Sequence, residues 1–118
     1  MCSPYSETKQ GFEVQFQTNY VSHYLLTRLL LPVLISTAEN SPKGTVRIVN
    51  VTSDGHAKLA PKEGIIFEDR CRAKKVSTWT RYGMSKLANV LHTKELARRY
   101  GEDGKLLAVC LHPGTVKT

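Results

Sequence analysis

The 118-residue sequence predicts an α/β fold on a parallel sheet, of which this chain supplies an inner part. Two observations carry that prediction. The elements follow the order helix, strand, loop, helix, strand, the repeat of a parallel α/β layer. The strand candidates at 45–51 and 106–111 are nearly continuous in apolar residues, with Val46, Ile48, Val49 and Val51 in the first, as expected of strands covered on both faces. Two strands are too few for such a sheet. A single partial domain over 1–118 is therefore expected, with apolar faces that await cover.

The first helix, at 9–37, rests on Phe12, Phe16, Tyr20, His23, Thr27, Leu30, Leu31 and Leu34, which recur at helical spacing. Pro32 lacks an N–H and is expected to kink or shorten its last turns, and Asn40, Ser41, Pro42 and Gly44 then supply a turn. Residues 54–78 hold Gly55, Pro61, Gly64 and many charges, and read as a long functional loop with a short turn of structure at 65–67. The second helix, at 79–100, carries Met84, Leu87, Val90, Leu91 and Leu96. Arg98 and Arg99 suit its C-terminus, where cations complement the dipole, and Gly101 lies beyond its end. The strand at 106–111, with Cys110 in the core, ends at His112-Pro113-Gly114.

Composition excludes several classes. Three scattered cysteines without a Cys-x-x-Cys pair argue for reduced thiols, and the four histidines show no metal-ligand spacing, so no metal is expected. The net charge of +7 is unaccompanied by interleaved aromatics or a nucleic-acid motif, and no nucleic acid is expected. The longest apolar stretch, 29–35, contains Pro32, follows Arg28 and falls short of the roughly 20 residues of a membrane span. No span in this chain and a cytoplasmic setting are the expectation, since residues 1–6 lack the pattern of a secretory signal.

The informative motif is Tyr82-Gly83-Met84-Ser85-Lys86. Residues four apart share a helical face, so the Lys86 ammonium is expected beside the Tyr82 phenol, favouring its ionised form and making it a usable proton relay. Tyr5 and Lys9 have the same spacing but sit in a polar segment with no strand before them. Only Tyr82 follows a strand that ends in a hydroxyl, that of Ser53. Ser53 is placed to hold a substrate oxygen, or else caps a turn after its strand. Asn19 takes a position on the buried stripe of the first helix where an apolar residue is the norm, which also points to a role.

These blocks resemble the short-chain dehydrogenase/reductase family, in particular its retinol-dehydrogenase-like branch. The match runs over essentially the whole chain, through Gly11-Phe12-Glu13 to Asn19, Tyr24-Leu25-Leu26-Thr27, Arg47 to Ser53, Tyr82 to Asn89, and His112-Pro113-Gly114-Thr115-Val116. The resemblance implies a partial Rossmann-like doubly wound parallel sheet, lacking the N-terminal nucleotide-binding half and the C-terminal end. It also implies NADP or NAD as cofactor and a carbonyl or alcohol substrate. Tyr82 would be the general acid/base and Lys86 would lower the phenol pKa and bind the nicotinamide ribose. Ser53 would polarise the substrate oxygen, and Asn19 would hold a water in the proton relay. Pro113, Val116 and Thr118 would lie against the nicotinamide amide. The two long helices, 9–37 and 79–100, commonly form a dimer interface in this family, which makes a homo- or heterodimer an expectation.

The glycine-rich turn that holds the dinucleotide pyrophosphate in such proteins has no counterpart among the eight glycines of this sequence. The chain by itself is accordingly expected to be inactive, or to serve as a noncatalytic fragment that pairs with a full-length relative.

Overall fold

The computed structural model describes residues 3–67 and 75–114. Helix α1 (Val14–Glu39) starts later than the apolar stripe suggests. Gly11 adopts a φ of 80°, and Glu7 and Glu13 pair in an isolated antiparallel bridge, so the chain turns back before it coils. Glu13 is extended and caps the helix, its Oε2 accepting the Phe16 N–H at 2.8 Å.

Residues Gln17–Val21 form a π-helical turn, and the helix then continues as α from Ser22 to Glu39. Pro32 lies inside it without ending it. Burial of Leu31 and Ala38 on either side offsets the one hydrogen bond that proline removes. By length and composition α1 is long and apolar enough to cross a membrane, and most of its leucines are exposed. A search for contiguous apolar runs misses it, because Thr27, Arg28 and Pro32 interrupt the leucines. One side of α1 nevertheless packs in the core through Leu31 and Ala38.

Strands β1 (Val46–Val51) and β2 (Leu106–Leu111) pair in parallel, from Val46 opposite Leu106 to Val51 opposite Leu111. One face of this sheet is covered and the other is open, as expected of a partial sheet. Val46, Ile48 and Leu106 join Leu31 and Ala38 of α1 and Leu96 of the second long helix in one core, while Val49, Val51, Val109 and Leu111 are about half exposed. Both long helices contribute to the same core, which leaves the other face of the sheet open. Cys110 is a free thiol of intermediate burial rather than a core residue.

Between the strands, α2 (Gly55–Lys58) is a short helix where a loop was expected, while 64–67 have no regular structure; residues 68–74 lie outside the described set. Helix α3 (Thr78–Tyr100) begins at Ser77, whose Oγ accepts the Thr80 N–H at 3.0 Å. Its buried face extends from the apolar stripe towards polar residues: Met84 and Leu96 of that stripe are buried, as are Ser85, Ala88, Asn89, His92 and Thr93, whereas Leu91 is 48% exposed. Hydrogen bonds explain the extension: Thr93 Oγ1 accepts from Asn50 Nδ2 and donates to the Asn89 carbonyl, both at 2.8 Å, so polar residues are satisfied inside.

Gly83 makes the contact between α2 and α3 possible. A Cβ there would lie 2.5 Å from the Ala60 nitrogen and 2.7 Å from the Leu59 carbonyl carbon, both main-chain atoms. Gly83→Ala is expected to lose about 2 kcal/mol in urea unfolding through overpacking, although alanine alone gains about 1 kcal/mol in helix propensity. A stabilised variant would show that the 59–60 segment yields easily.

Candidate active site

The carboxyl ends of β1 and β2 place the candidate residues. The side chain of Thr52 bonds the α3 backbone, its Oγ1 donating to the Lys86 carbonyl at 2.9 Å, and the Thr52 N–H donates to the Leu111 carbonyl at 2.9 Å. Ser53 is thereby fixed between both strand ends and α3. Its Oγ accepts the Gly55 N–H and donates to Asp54 Oδ1, each at 3.2 Å. It thus caps the turn into α2, and it also lies within the site.

Tyr82 meets Ser53 across Gly55. A Cβ on Gly55 would sit 3.2 Å from Tyr82 Cε1 and 3.4 Å from Ser53 Oγ, so the missing side chain keeps the two groups facing a shared space. Lys86 Nζ lies 5.8 Å from the Tyr82 ring centroid and donates to the Val51 carbonyl at 3.2 Å. Burial pulls the Lys86 pKa below the ordinary lysine value. The Lys86 ammonium and the Tyr82 ring thus lie on one face of α3.

Asn19 sits in the middle of the π-turn of α1. Its Nδ2 donates to Ser85 Oγ at 3.0 Å, and that fully buried hydroxyl donates to the Tyr82 carbonyl at 2.7 Å. The main-chain carbonyl of Asn19 accepts from Asn89 Nδ2 at 3.1 Å, and the same amide lies 3.4 Å from the Val51 carbonyl that Lys86 also uses. Asn19, Ser85, Asn89 and Lys86 thus connect α1, α3 and β1 in one network. Sequence reasoning assigned no role to Ser85 or Asn89. The available signal was their place, one residue before Lys86 and three after it, on a face where leucines were expected. Asn89→Leu, similar in volume, takes one donor from the Asn19 carbonyl and one of two from the Val51 carbonyl, and is expected to cost about 1 kcal/mol in urea unfolding.

Asp54 and His112 join the two strand exits. The Lys58 ammonium at 2.5 Å and the Ser53 hydroxyl hold the Asp54 carboxyl below the usual carboxylate range, and His112 Nε2 lies 3.8 Å from Asp54 Oδ1. Pro113 follows at the exposed end of β2, whereas Val116 and Thr118 lie outside the described residues.

A dinucleotide fits this arrangement at its nicotinamide ribose end. The Lys86 ammonium has three donors and one carbonyl partner among the described residues, and it stands at the carboxyl edge of parallel strands, where such ligands bind. The positive-φ glycines, Gly11, Gly44, Gly64, Gly104 and Gly114, are dispersed and form no phosphate-binding turn.

No family model matches the chain. Individual relatives do. The short-chain dehydrogenase/reductase drtF of Aspergillus calidoustus is 46% identical over 126 residues, covering 100% of this chain and 40% of its own length. The chain belongs to the short-chain dehydrogenase/reductases. An uncharacterized oxidoreductase of Schizosaccharomyces pombe is 46% identical over 100% of the chain and 34% of its own length. Retinol dehydrogenase 14 of Mus musculus is 44% identical over 98% of the chain and 31% of its own length. The chain therefore spans well under half the length of these short-chain dehydrogenase/reductases. The helices and two-stranded parallel sheet are a partial Rossmann-like α/β arrangement of that family.

Proposed function

We propose that this chain carries the proton-handling part of an oxidoreductase that interconverts an alcohol with an aldehyde or ketone. The observation that supports it is the convergence of Tyr82 and Ser53 on Gly55, with the Lys86 ammonium against the Tyr82 ring. In the reductive direction, the reduced cofactor, NADPH or NADH, would supply the hydride to the carbonyl carbon when bound and leave as NADP or NAD. Ser53 turns its hydroxyl from Asp54 to the substrate oxygen and holds it. The Tyr82 phenol then gives its proton to that oxygen, and the nearby cation favours the negative charge left on the ring. Lys86 also offers its remaining donors to the ribose hydroxyls, while Asn89 and Lys86 together on the Val51 carbonyl keep the ammonium in place.

Because its glycines form no pyrophosphate-binding turn, the 118-residue chain is expected to show no turnover by itself. The test is a panel of aldehydes and ketones with NADPH or NADH, run on the chain and on a fusion in which this chain replaces the matching segment of drtF. Turnover by the fusion alone is the expected result. Turnover by the chain alone would overturn its proposed inactivity, and a folded, cofactor-binding fusion without turnover would overturn the catalytic role.

A second reading is favoured by the exposed leucines of α1. Leu25, Leu26, Leu29 and Val33 are each more than half exposed, an apolar surface suited to pairing with a full-length relative. Co-purification with drtF, lost on Leu29→Glu, is expected under that reading, and a chain that stays alone counts against it.

A further inference from the structure

We infer that Asp54 is a positioning residue that holds the Ser53 hydroxyl away from a carbonyl substrate. The inference rests on the oxidoreductase reading of Ser53 and deepens it. A hydroxyl has one hydrogen to give and two lone pairs to accept with. Ser53 gives its hydrogen to Asp54 Oδ1 at 3.2 Å, and the Gly55 N–H, also at 3.2 Å, occupies one lone pair of Oγ. A carbonyl oxygen only accepts, so it bonds Ser53 only after the hydrogen has left the carboxylate. An alcohol, by contrast, can give its own hydrogen to the lone pair that remains. The resting site therefore suits an alcohol oxygen and must be reset for a carbonyl one.

Asp54 is steadied in this position from its far side. The Lys58 ammonium, one helical turn on, holds Oδ2 at 2.5 Å, which leaves Oδ1 to Ser53 and to His112 Nε2, 3.8 Å away. Ser53 is buried and pinned by the Gly55 N–H, whereas Asp54 is exposed. The hydroxyl hydrogen is thus the part of the arrangement that is free to swing between the carboxylate and the substrate. Negative charge gathers on the substrate oxygen as hydride reaches the carbon, and a carboxylate beside Ser53 opposes that charge as well. Both effects slow reduction.

The test measures kcat/KM for carbonyl reduction by the drtF fusion. Asp54→Ala is expected to raise it about fivefold, the order expected of one hydrogen bond to an exposed charged group. Asp54→Asn keeps the shape with a weaker, neutral acceptor and gives a smaller rise. Lys58→Met breaks the ion pair but keeps the carboxylate, and gives no rise. On a Ser53→Ala background Asp54→Ala gives none either, because no hydroxyl is left to release. A lower or unchanged kcat/KM in folded Asp54→Ala, a rise shared by Lys58→Met, or one that persists without the Ser53 hydroxyl would each overturn the inference. Full turnover by Ser53→Ala would overturn the reading of Ser53 along with it. If Ser53→Ala loses turnover while Asp54→Ala changes nothing, the inference alone falls.

Discussion

Arg81→Met is expected to cost about 3–5 kcal/mol of stability, because it strands a buried carboxylate. Arg81 is 5% exposed, and its guanidinium ties together segments far apart in sequence. Nη1 donates to the Val76 carbonyl at 2.7 Å, Nη2 to the Ser3 carbonyl at 3.3 Å, and the group lies 5.5 Å from the centre of the Tyr5 ring. Its ion pair with Glu13 couples the start of α1 to the start of α3. Methionine keeps much of the volume and removes every one of these contacts. Urea unfolding of Arg81→Met and of the double variant Glu13→Gln/Arg81→Met decides the cause. The double variant should recover part of the loss, since its buried side chain is neutral. If the two unfold alike, the charge on Glu13 is not what the arginine serves.

Tyr82→Phe is expected to lower turnover of the drtF fusion by about 10²–10⁴-fold, the usual worth of a positioned acid/base. The ring remains, so its contacts with Gly55 and the Lys86 ammonium persist and the unfolding midpoint should hardly move. A KM close to the parent's would place the loss in the chemical step rather than in binding. Retention of most of the activity would mean that another group passes the proton.

The elements themselves were legible in the sequence. β2 occupies 106–111 as expected, and α3 spans 78–100, within one residue of its expected start. What the apolar pattern did not reveal is which face of α3 turns inward. Met84 and Leu96 of the apolar stripe are buried, but so are Ser85, Asn89 and Thr93, because each has a hydrogen-bond partner that only the folded chain brings near. The pairing of Tyr82 with Lys86 was readable, since both lie on one helix. The link from Asn19 to Ser85 joins residues 66 positions apart and has no local signature. The Glu13–Arg81 pair escaped notice for the same reason. The open second face of the sheet was also legible, since two strands of this composition are too few to close a parallel layer.

The π-turn at Gln17–Val21 makes α1 a helix with two phases. A wide turn takes one residue more than an α-turn, so everything before it is set round by about 100° relative to a continuous α-helix. This is why one periodic stripe from Phe12 to Leu34 does not describe the buried face. Deleting Thr18 would regularise the helix and swing Glu13 and Gln15 away from Arg81 and Thr78, while Leu31 and Ala38 kept their places. The chain thus tolerates sequence change in α1 by kind far better than by count: one residue fewer would detach the amino-terminal anchor while leaving the composition of the helix almost the same.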